Sequence, residues 1–329
     1  MKVTVIATVK NEGHSIRRLL DSLLSQTRQP DEIVIVDGGS TDDTFSILQE
    51  YAHQRCPFLR VLHAPGANIS AGRNLAIQAA SGEVIVSTDA GVRFGPDWLK
   101  RLVEPFEMNH EAPDVVCGFF VPDPQSIFEV AMGATVLPAV DEIEPQRFLP
   151  SSRSVAFRRQ AWEEVGGYPE WMTFSEDLLF DMALKNRGYR FVFVPEAVVQ
   201  FRPRASLSAF WRQYRNYAMG DGEGLLWTRR HLIRYGVYLV AAPSLIVLGL
   251  WVSPWWWGVL LLGMAVYLRR PYVRLRQMAA GLPLRDKIIA SLWVPVIRVW
   301  GDLAKMIGYP VGLPRGFRLR SRTRAYLGK

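Results

Sequence analysis

The chain has 329 residues, of which 49% are hydrophobic and 21% charged, and its net charge is +8 at pH 7. This apolar content excludes a disordered chain, and two cysteines without CxxC spacing argue against a disulfide framework or a structural zinc site. The first ten residues, MKVTVIATVK, contain no long apolar stretch, so no signal peptide is expected.

Strand-like and helix-like segments alternate over the first ninety residues. Four β-branched, apolar segments are predicted as strands, and helix-forming segments separate them. The predicted strands are residues 3–8, 33–36, 58–62 and 84–88. This alternation predicts an α/β fold whose core is a Rossmann-like, doubly wound and mostly parallel sheet.

Polar residues follow three of these strands, at the edge where parallel sheets bind ligands. They are TVKNE at residues 8–12, DGG at 37–39 and DAG at 89–91. The GxGxxG phosphate-binding pattern is absent after the first strand, which argues against a dinucleotide-dependent oxidoreductase. Each acid alone is more often a turn or cap residue. Their shared position indicates a site for a ribose, a base or a divalent cation.

Residues 235–268 contain no charged residue and are interpreted as membrane-spanning. The segment is too long for one ordinary span, and Ser253-Pro254 interrupts it, so a helical hairpin is expected. Arginines flank both of its ends, which favours placing both ends on the cytoplasmic side. A hairpin buried in a soluble core is the alternative.

The sequence beyond this hairpin is strongly basic. Apolar residues at helical spacing predict an amphipathic helix over about residues 286–307, and the tail 315–329 contains no acid. Residues 201–329 hold 21 Lys and Arg but only 4 Asp and Glu, against 18 and 27 in residues 1–200. Anionic membrane lipids are the expected partner of this region, with a solvated tail as the alternative. Nucleic acid is not expected, because no motif that reads it is present.

Taken together, these motifs resemble family-2 glycosyltransferases, inverting enzymes of the GT-A fold, in their membrane-associated bacterial form. The matching segments are TVKNE at 8–12, IVIVDGGSTDDT at 33–44, NISAGRNLAIQAASGEVIVSTDAG at 68–91 and the stretch from 155 to 199. The resemblance implies a GT-A glycosyltransferase domain over residues 1–220, followed by a membrane-associated region over residues 221–329.

The resemblance also implies roles for individual residues. It implies donor binding by Thr8, Glu12, Asp37, Arg73, Asp89 and Gly91, with Asp37 accepting hydrogen bonds from the base and Arg73 near the donor phosphates. Asp177 is the expected catalytic base, with Glu176 orienting it. The segment RQYRNY is similar to the QxxRW element of processive synthases, which implies diphosphate or acceptor contacts for Arg212, Gln213 and Arg215. Asn216 and Tyr217 replace the Arg and Trp of that element, so processivity does not follow.

Asp89 matches the first acid of the family's DxD motif, whereas Gly91 stands in place of the second. The resemblance implies Mg²⁺ or Mn²⁺ at Asp89, since hard cations take carboxylate and phosphate oxygens. The glycine predicts weakened metal binding or ligands from elsewhere. His53, His63 and His110 show no ligand spacing and are interpreted as surface or packing residues.

The expected function is therefore hexosyl transfer with inversion from a nucleotide-sugar donor. The expected acceptor is a lipid-linked or nascent surface glycan of the exopolysaccharide type. The catalytic domain is expected in the cytoplasm, at the inner or cytoplasmic membrane. Two alternatives remain: a catalytically inactive GT-A scaffold at the membrane, which the altered DxD motif suggests, and a nucleotidyltransferase acting on a lipid phosphate.

Overall fold

The computed structural model describes residues 1–108 and 112–328, so His110 lies outside the described residues. The chain forms two compact units, each discontinuous in sequence. The sheet unit comprises Met1–Val121, Val140–Phe201 and Arg322–Lys329, and the helical unit comprises Pro122–Ala139 and Arg202–Ser321. This division differs from a boundary near residue 220, because residues 202–220 and 122–139 pack with the later helices.

The sheet unit is built on one eight-stranded sheet with the order β3-β2-β1-β4-β7-β6-β8-β5. The strands are β1 Val3–Val9, β2 Glu32–Asp37, β3 Leu59–His63, β4 Val84–Thr88, β5 Val92–Phe94, β6 Val115–Pro122, β7 Val155–Arg158 and β8 Phe191–Phe201. Strands β1 to β4 pair in parallel. Strand β7 pairs antiparallel with β4 and β6, and β5 pairs antiparallel with β8. The expected α/β class is confirmed, and the sheet is mixed.

Twelve α-helices accompany the strands within the described residues. They are α1 Ile16–Leu24, α2 Thr44–Gln54, α3 Ile69–Ala79, α4 Trp98–Val103, α5 Ile127–Val136, α6 Arg159–Val165, α7 Glu176–Asn186, α8 Leu207–Glu223, α9 Thr228–Gly236, α10 Ala242–Trp251, α11 Trp255–Met278 and α12 Leu284–Tyr326. Helix α1 buries Ile16, Leu19, Leu20 and Leu23 in the core, the spacing of one helix face. Burial of each such side chain stabilises the fold by roughly 1.5–3 kcal/mol.

The helical unit exposes much apolar surface. Helix α9, a π-helical turn Val237–Ala241 and α10 form one continuous helix. In the described part of the chain, this helix, Thr228–Trp251, is the one that is long and apolar enough to cross a membrane. Leu239 and Leu250 on it are 64% and 67% exposed. Residues 252–254, which include Ser253-Pro254, separate it from α11.

Helix α12 is longer than the amphipathic helix expected over residues 286–307, because it continues through the basic segment to Tyr326. Three of its glycines, Gly308, Gly312 and Gly316, face the backbone of α8. A Cβ atom at these positions would lie 2.1, 2.0 and 2.2 Å from the carbonyl oxygens of Arg215, Met219 and Gly222. The two helices therefore pack backbone against backbone, a contact that small residues allow. This packing explains why α8 belongs to the helical unit.

Candidate active site

The loops that follow β1, β2 and β4 lie at one edge of the sheet. Val9 is the register partner of Asp37, and Ala7 is the partner of Thr88, so the three parallel strands end side by side. The loops after them carry Glu12, the Gly38-Gly39 turn and Asp89. Three of the polar segments singled out in the sequence are therefore neighbours in the sheet unit.

Asp37 is fully buried at the end of β2. Its Oδ2 accepts hydrogen bonds from the backbone N–H groups of Gly39 and Ser40, each at 3.1 Å, and its Oδ1 accepts one from the Ser40 hydroxyl. The Nδ1 atom of His63 lies 3.0 Å from Oδ2. Asp37 therefore fixes the Gly-Gly turn and the ring of His63, whose side chain is 45% exposed. His63 ends β3 in register with Asp37, a relation that ligand spacing in the sequence does not reveal.

The loop after β1 is tied to the loop after β2. Asn11 has φ of 56°, a left-handed conformation that asparagine tolerates better than most residues. Its Oδ1 accepts a hydrogen bond from the Thr41 N–H at 2.8 Å. The Glu12 N–H donates to Thr44 Oγ1 at 2.8 Å, and the Glu12 carboxylate accepts from the Ser15 hydroxyl. These contacts hold Glu12 in the loop just before α1.

Helix α3 carries Arg73 into the site. The helix begins after Asn68, whose side-chain oxygen accepts from the Ala71 N–H at 2.8 Å and caps it. Gly72 lets the helix approach half-buried Thr8, since a Cβ atom there would lie 2.5 Å from Thr8 Cγ2. The next residue, Arg73, is 4% exposed.

The Arg73 guanidinium lies between Asp89, which follows β4, and Glu176, which begins α7. Its Nη1 donates to Glu176 Oε1 at 2.7 Å, and its Nη2 donates to Asp89 Oδ1 at 3.4 Å. It also lies 5.3 Å from the centroid of the Tyr168 ring. Burial acts to lower the pKa of Arg73, but Glu176, Tyr168 and Asp89 raise it above its ordinary value. The guanidinium is therefore a permanent positive charge among these acids.

Helix α7 begins with Glu176 and Asp177, where the helix dipole favours carboxylates. Ser175 before them has φ of 60°, a strained conformation of the kind often found at functional sites. Asp177 Oδ1 accepts from the Leu178 N–H at 2.8 Å. Burial and then the neighbouring Asp177 raise the pKa of Glu176, although Arg73 opposes them.

One turn along α7, Asp181 is 3% exposed and its Oδ2 has no hydrogen-bond partner among the described residues. Burial and then Asp177 raise the pKa of Asp181 well above its ordinary range. The sequence reasoning did not select this residue. Its spacing of four from Asp177, among the buried apolar residues Leu179, Phe180 and Leu184, was the available signal.

Asp89 is flanked by two arginines. Its side chain is 36% exposed, and besides Arg73 at 3.4 Å it has Arg153 Nε at 3.5 Å from Oδ2. Arg153 belongs to the loop before β7, and no sequence pattern singled it out. Gly91 is exposed, and apart from its chain neighbours no heavy atom of the described residues lies within 4 Å of the position that a Cβ would take.

At this edge of the sheet, a divalent cation could be bound by a single carboxylate, that of Asp89. Among residues 1–108 and 112–328, no group of three His, Cys, Asp or Glu side chains has the arrangement of a metal site. Asp89 is the one partly exposed carboxylate at the end of β4. Mg²⁺ is commonly held by one or two carboxylates together with substrate phosphates and water. Asp89 alone meets the minimum of that pattern.

Arg212, Gln213 and Arg215 lie on α8 and so belong to the helical unit. The Gln213 side chain is engaged locally: Arg204 Nε donates to its Oε1 at 3.2 Å, and its Nε2 donates to Tyr217 Oη at 2.8 Å. The backbone carbonyl of Arg215 faces Gly308. Diphosphate or acceptor contacts for these residues remain a prediction.

A family model described as "Glycosyl transferase family 2" matches residues 4–175, and one described as "Glycosyl transferase family group 2" matches residues 144–294. The O-antigen chain rhamnosyltransferase RfbN of Salmonella typhimurium is 24% identical over 261 residues, 70% of this chain and 81% of its own. The succinoglycan biosynthesis protein ExoA of Rhizobium meliloti is 26% identical over 302 residues, 84% of this chain and 89% of its own.

Two solved structures show the same fold. The mannosyltransferase PcManGT from Pyrobaculum calidifontis, in complex with GDP-Man and Mn²⁺, has a TM-score of 0.56 at 20% identity, over 95% of this chain and 87% of its own. Residues 1–349 of Staphylococcus aureus TarS have a TM-score of 0.50 at 20% identity, over 98% of this chain and 92% of theirs. At such identity the likeness concerns the fold, and the GT-A fold expected from the sequence is confirmed.

Proposed function

The chain belongs to glycosyl transferase family 2, and from this premise we propose that it transfers a hexosyl unit with inversion from a nucleotide-sugar to a glycan acceptor. The observation that carries the proposal is the buried Arg73, which holds Asp89 on the donor side and Glu176 beside Asp177 in one cluster. An inverting transfer needs a cationic group at the leaving diphosphate and a carboxylate base at the acceptor. The cluster supplies both kinds of group.

The relatives support the class of product. RfbN is named for O-antigen chains and ExoA for succinoglycan biosynthesis, so family-2 transfer in polysaccharide biosynthesis is the common theme. PcManGT was solved in complex with GDP-Man and Mn²⁺. By analogy, we assign this chain a nucleotide-sugar donor and a growing surface glycan, free or lipid-linked, as acceptor.

In this proposal, Asp177 is the general base. The acceptor hydroxyl loses its proton to the Asp177 carboxylate while its oxygen forms the bond to the anomeric carbon. The bond from that carbon to the diphosphate oxygen breaks on the opposite face, and the nucleoside diphosphate leaves with the electron pair. General-base help of this kind typically contributes about 10²–10⁴-fold to rate. The ion pair of Arg73 with Glu176 would fix the first residue of α7, directly next to Asp177.

The donor residues have complementary tasks. Thr8, Glu12 and the loop fixed by Asp37 would receive the base and ribose, with His63 as an additional contact. Asp89 would be the protein ligand of Mg²⁺ or Mn²⁺, which when bound would stabilise negative charge on the leaving diphosphate. Gly91 leaves its side of the site open.

The acceptor side is proposed to lie at a membrane. The continuous helix Thr228–Trp251 exposes its apolar side chains, and the basic residues around it suit anionic lipid headgroups. From the positive-inside tendency we assign the catalytic residues to the cytoplasm. A lipid-linked acceptor at that face is the corresponding substrate.

Product identity tests the proposal. The protein in detergent, with a panel of nucleotide-sugars and extracted lipid acceptors, should release a nucleoside diphosphate, and Asp177→Asn should lower the rate about 10²-fold or more. Asp141→Asn, which neutralises an exposed acid elsewhere in the sheet unit, should change the rate little.

Release of pyrophosphate would instead identify a nucleotidyltransferase. Binding of no donor, with or without Mn²⁺, would favour an inactive scaffold, and an unchanged rate in Asp177→Asn would remove Asp177 as the base.

A further inference from the structure

Arg153 brings a second guanidinium to Asp89. Its Nε lies 3.5 Å from Oδ2, and its side chain is 18% exposed. Arg73 approaches the other carboxylate oxygen at 3.4 Å. Both separations are longer than the roughly 2.7–2.9 Å of a charge-assisted hydrogen bond. Both arginines therefore contact Asp89 only through long and weak interactions.

Other contacts orient Arg153. Its guanidinium carbon lies 4.3 Å from the centroid of the Phe201 ring and 5.9 Å from that of Phe120. Its Nη1 donates to Ser151 Oγ at 2.9 Å, and its carbonyl accepts from the Thr88 hydroxyl at 3.0 Å. Stacking and hydrogen bonds of this kind restrict the side chain before any ligand arrives. Less conformational entropy is then lost on binding.

This arrangement disfavours tight binding of a metal at Asp89. A divalent cation on the carboxylate would share it with two guanidinium groups, and charges of the same sign repel at such distances. Gly91 adds no carboxylate to offset that repulsion. The open space at Gly91 can instead admit the phosphates of a ligand, close to fixed positive charge.

We propose that Arg153 binds the donor diphosphate and, together with Arg73, supplies positive charge in place of a tightly held metal. The protein would then bind nucleoside diphosphates without a divalent cation. This inference rests on the proposed function, because its ligand is the nucleotide part of the donor. A planar guanidinium can donate two parallel hydrogen bonds to phosphate oxygens. No covalent bond to Arg153 forms or breaks, and its guanidinium keeps its protons. Arg153 stabilises the negative charge that the diphosphate gains as the bond to the sugar breaks.

Nucleotide binding with and without metal tests this inference. Calorimetric titrations of UDP, GDP, ADP, CDP and dTDP into the full chain, in EDTA and in excess Mn²⁺, identify the nucleotide that binds most tightly. For that nucleotide, Arg153→Gln should weaken binding in EDTA by about 10- to 100-fold, the scale of a lost charge-assisted hydrogen bond. Mn²⁺ should restore much of the loss, and Arg153→Lys should be intermediate.

Arg158→Gln is the matched control. Arg158 ends β7, lies over the Phe106 ring at 5.6 Å and donates to the Pro113 carbonyl at 3.2 Å, so it is a stacked arginine at another place. The Arg158→Gln variant should bind nucleotide like the unaltered protein. Thermal unfolding of each variant checks that the variant is folded. Unaltered affinity of Arg153→Gln in EDTA, or wild-type binding only with Mn²⁺, would overturn the inference and leave the proposed function standing. Binding of none of the five nucleotides in either buffer would overturn both.

Discussion

Arg73 connects residues that are far apart in sequence. It bonds Glu176, which is 103 positions away, and Asp89, which is 16 positions away. Charged groups are retained in a protein interior when they are paired, and removing one partner of a buried pair typically costs about 3–5 kcal/mol. The same guanidinium therefore stabilises the sheet unit and sets the geometry of the candidate site.

We expect the stability of the fold to depend on the protonation of Asp181. Because burial and Asp177 raise its pKa, the folded state holds a proton that the unfolded state releases above about pH 4. Stability is therefore fully present below that pH and falls as pH rises toward the pKa of the folded state. Asp181→Asn removes the carboxylate, so its stability relative to wild type should increase as the pH rises from about 4 to 8. Urea unfolding across that pH range measures the difference.

Asp141→Asn serves as the control for that series, since Asp141 is exposed. Its stability difference from wild type should stay nearly constant with pH. A constant difference for Asp181→Asn as well would mean that the Asp181 carboxyl is not kept protonated by the fold.

At the scale of elements, the contact between α8 and α12 depends on glycine. Gly308, Gly312 and Gly316 recur every fourth residue and place the α12 backbone against the carbonyl oxygens of α8. Glycine inside a helix costs about 1 kcal/mol relative to alanine. The close contact between α8 and α12 offsets that cost through van der Waals packing along the helix interface.

Gly312→Ala should therefore destabilise the helical unit, although alanine is the better helix former. Its Cβ would lie 2.0 Å from the Met219 carbonyl oxygen, so the helices must separate, at a cost of about 1–3 kcal/mol. Gly258→Ala on α11 is the matched control, because outside the nearby backbone of α11 no heavy atom of residues 1–108 and 112–328 lies within 4 Å of its Cβ position. Thermal unfolding in detergent should show a lower midpoint for the first variant and an equal or higher one for the second. The opposite order would contradict backbone packing at Gly312.

At the scale of the whole molecule, the two parts of the sequence differ in charge and in surface. Residues 201–329 hold 21 of the 39 Lys and Arg residues. Large apolar side chains on the helix Thr228–Trp251 are exposed, with Trp251 at 83%. A contiguous apolar surface flanked by basic residues suits a bilayer with anionic headgroups.

Leu239→Asp should accordingly reduce retention of the full chain in membranes after an alkaline carbonate wash. Leu239 lies near the middle of the apolar helix, where an Asp costs about 2.5–3.5 kcal/mol in the bilayer. Met108→Asp introduces the same charge at an exposed apolar residue of the sheet unit and should leave retention unchanged. Equal retention of both variants would argue that this helix does not enter the bilayer.

The parallel half of the sheet was predictable because its signals are local. Strands β1 to β4 are short apolar segments, and helices with recognisable periodicity or caps separate them, so the strand ends and their polar residues followed from the sequence. The antiparallel half was not predicted, because residues 92–201 lack regular alternation. Pairings such as β5 with β8 join segments about a hundred residues apart.

The amino-acid sequence alone determined the α/β class, the family and the acids that follow the strands, since periodicity and motif order are properties of neighbouring residues. The tertiary structure alone decided that His63 contacts Asp37, that Arg153 flanks Asp89 and that Asp181 is buried, with no partner for its Oδ2 in the described part of the chain. It also decided that α12 packs on α8 through glycines. These contacts join segments that are distant in sequence, so they form only when the chain folds. Burial and neighbouring charges shift pKa values only once those segments are packed together.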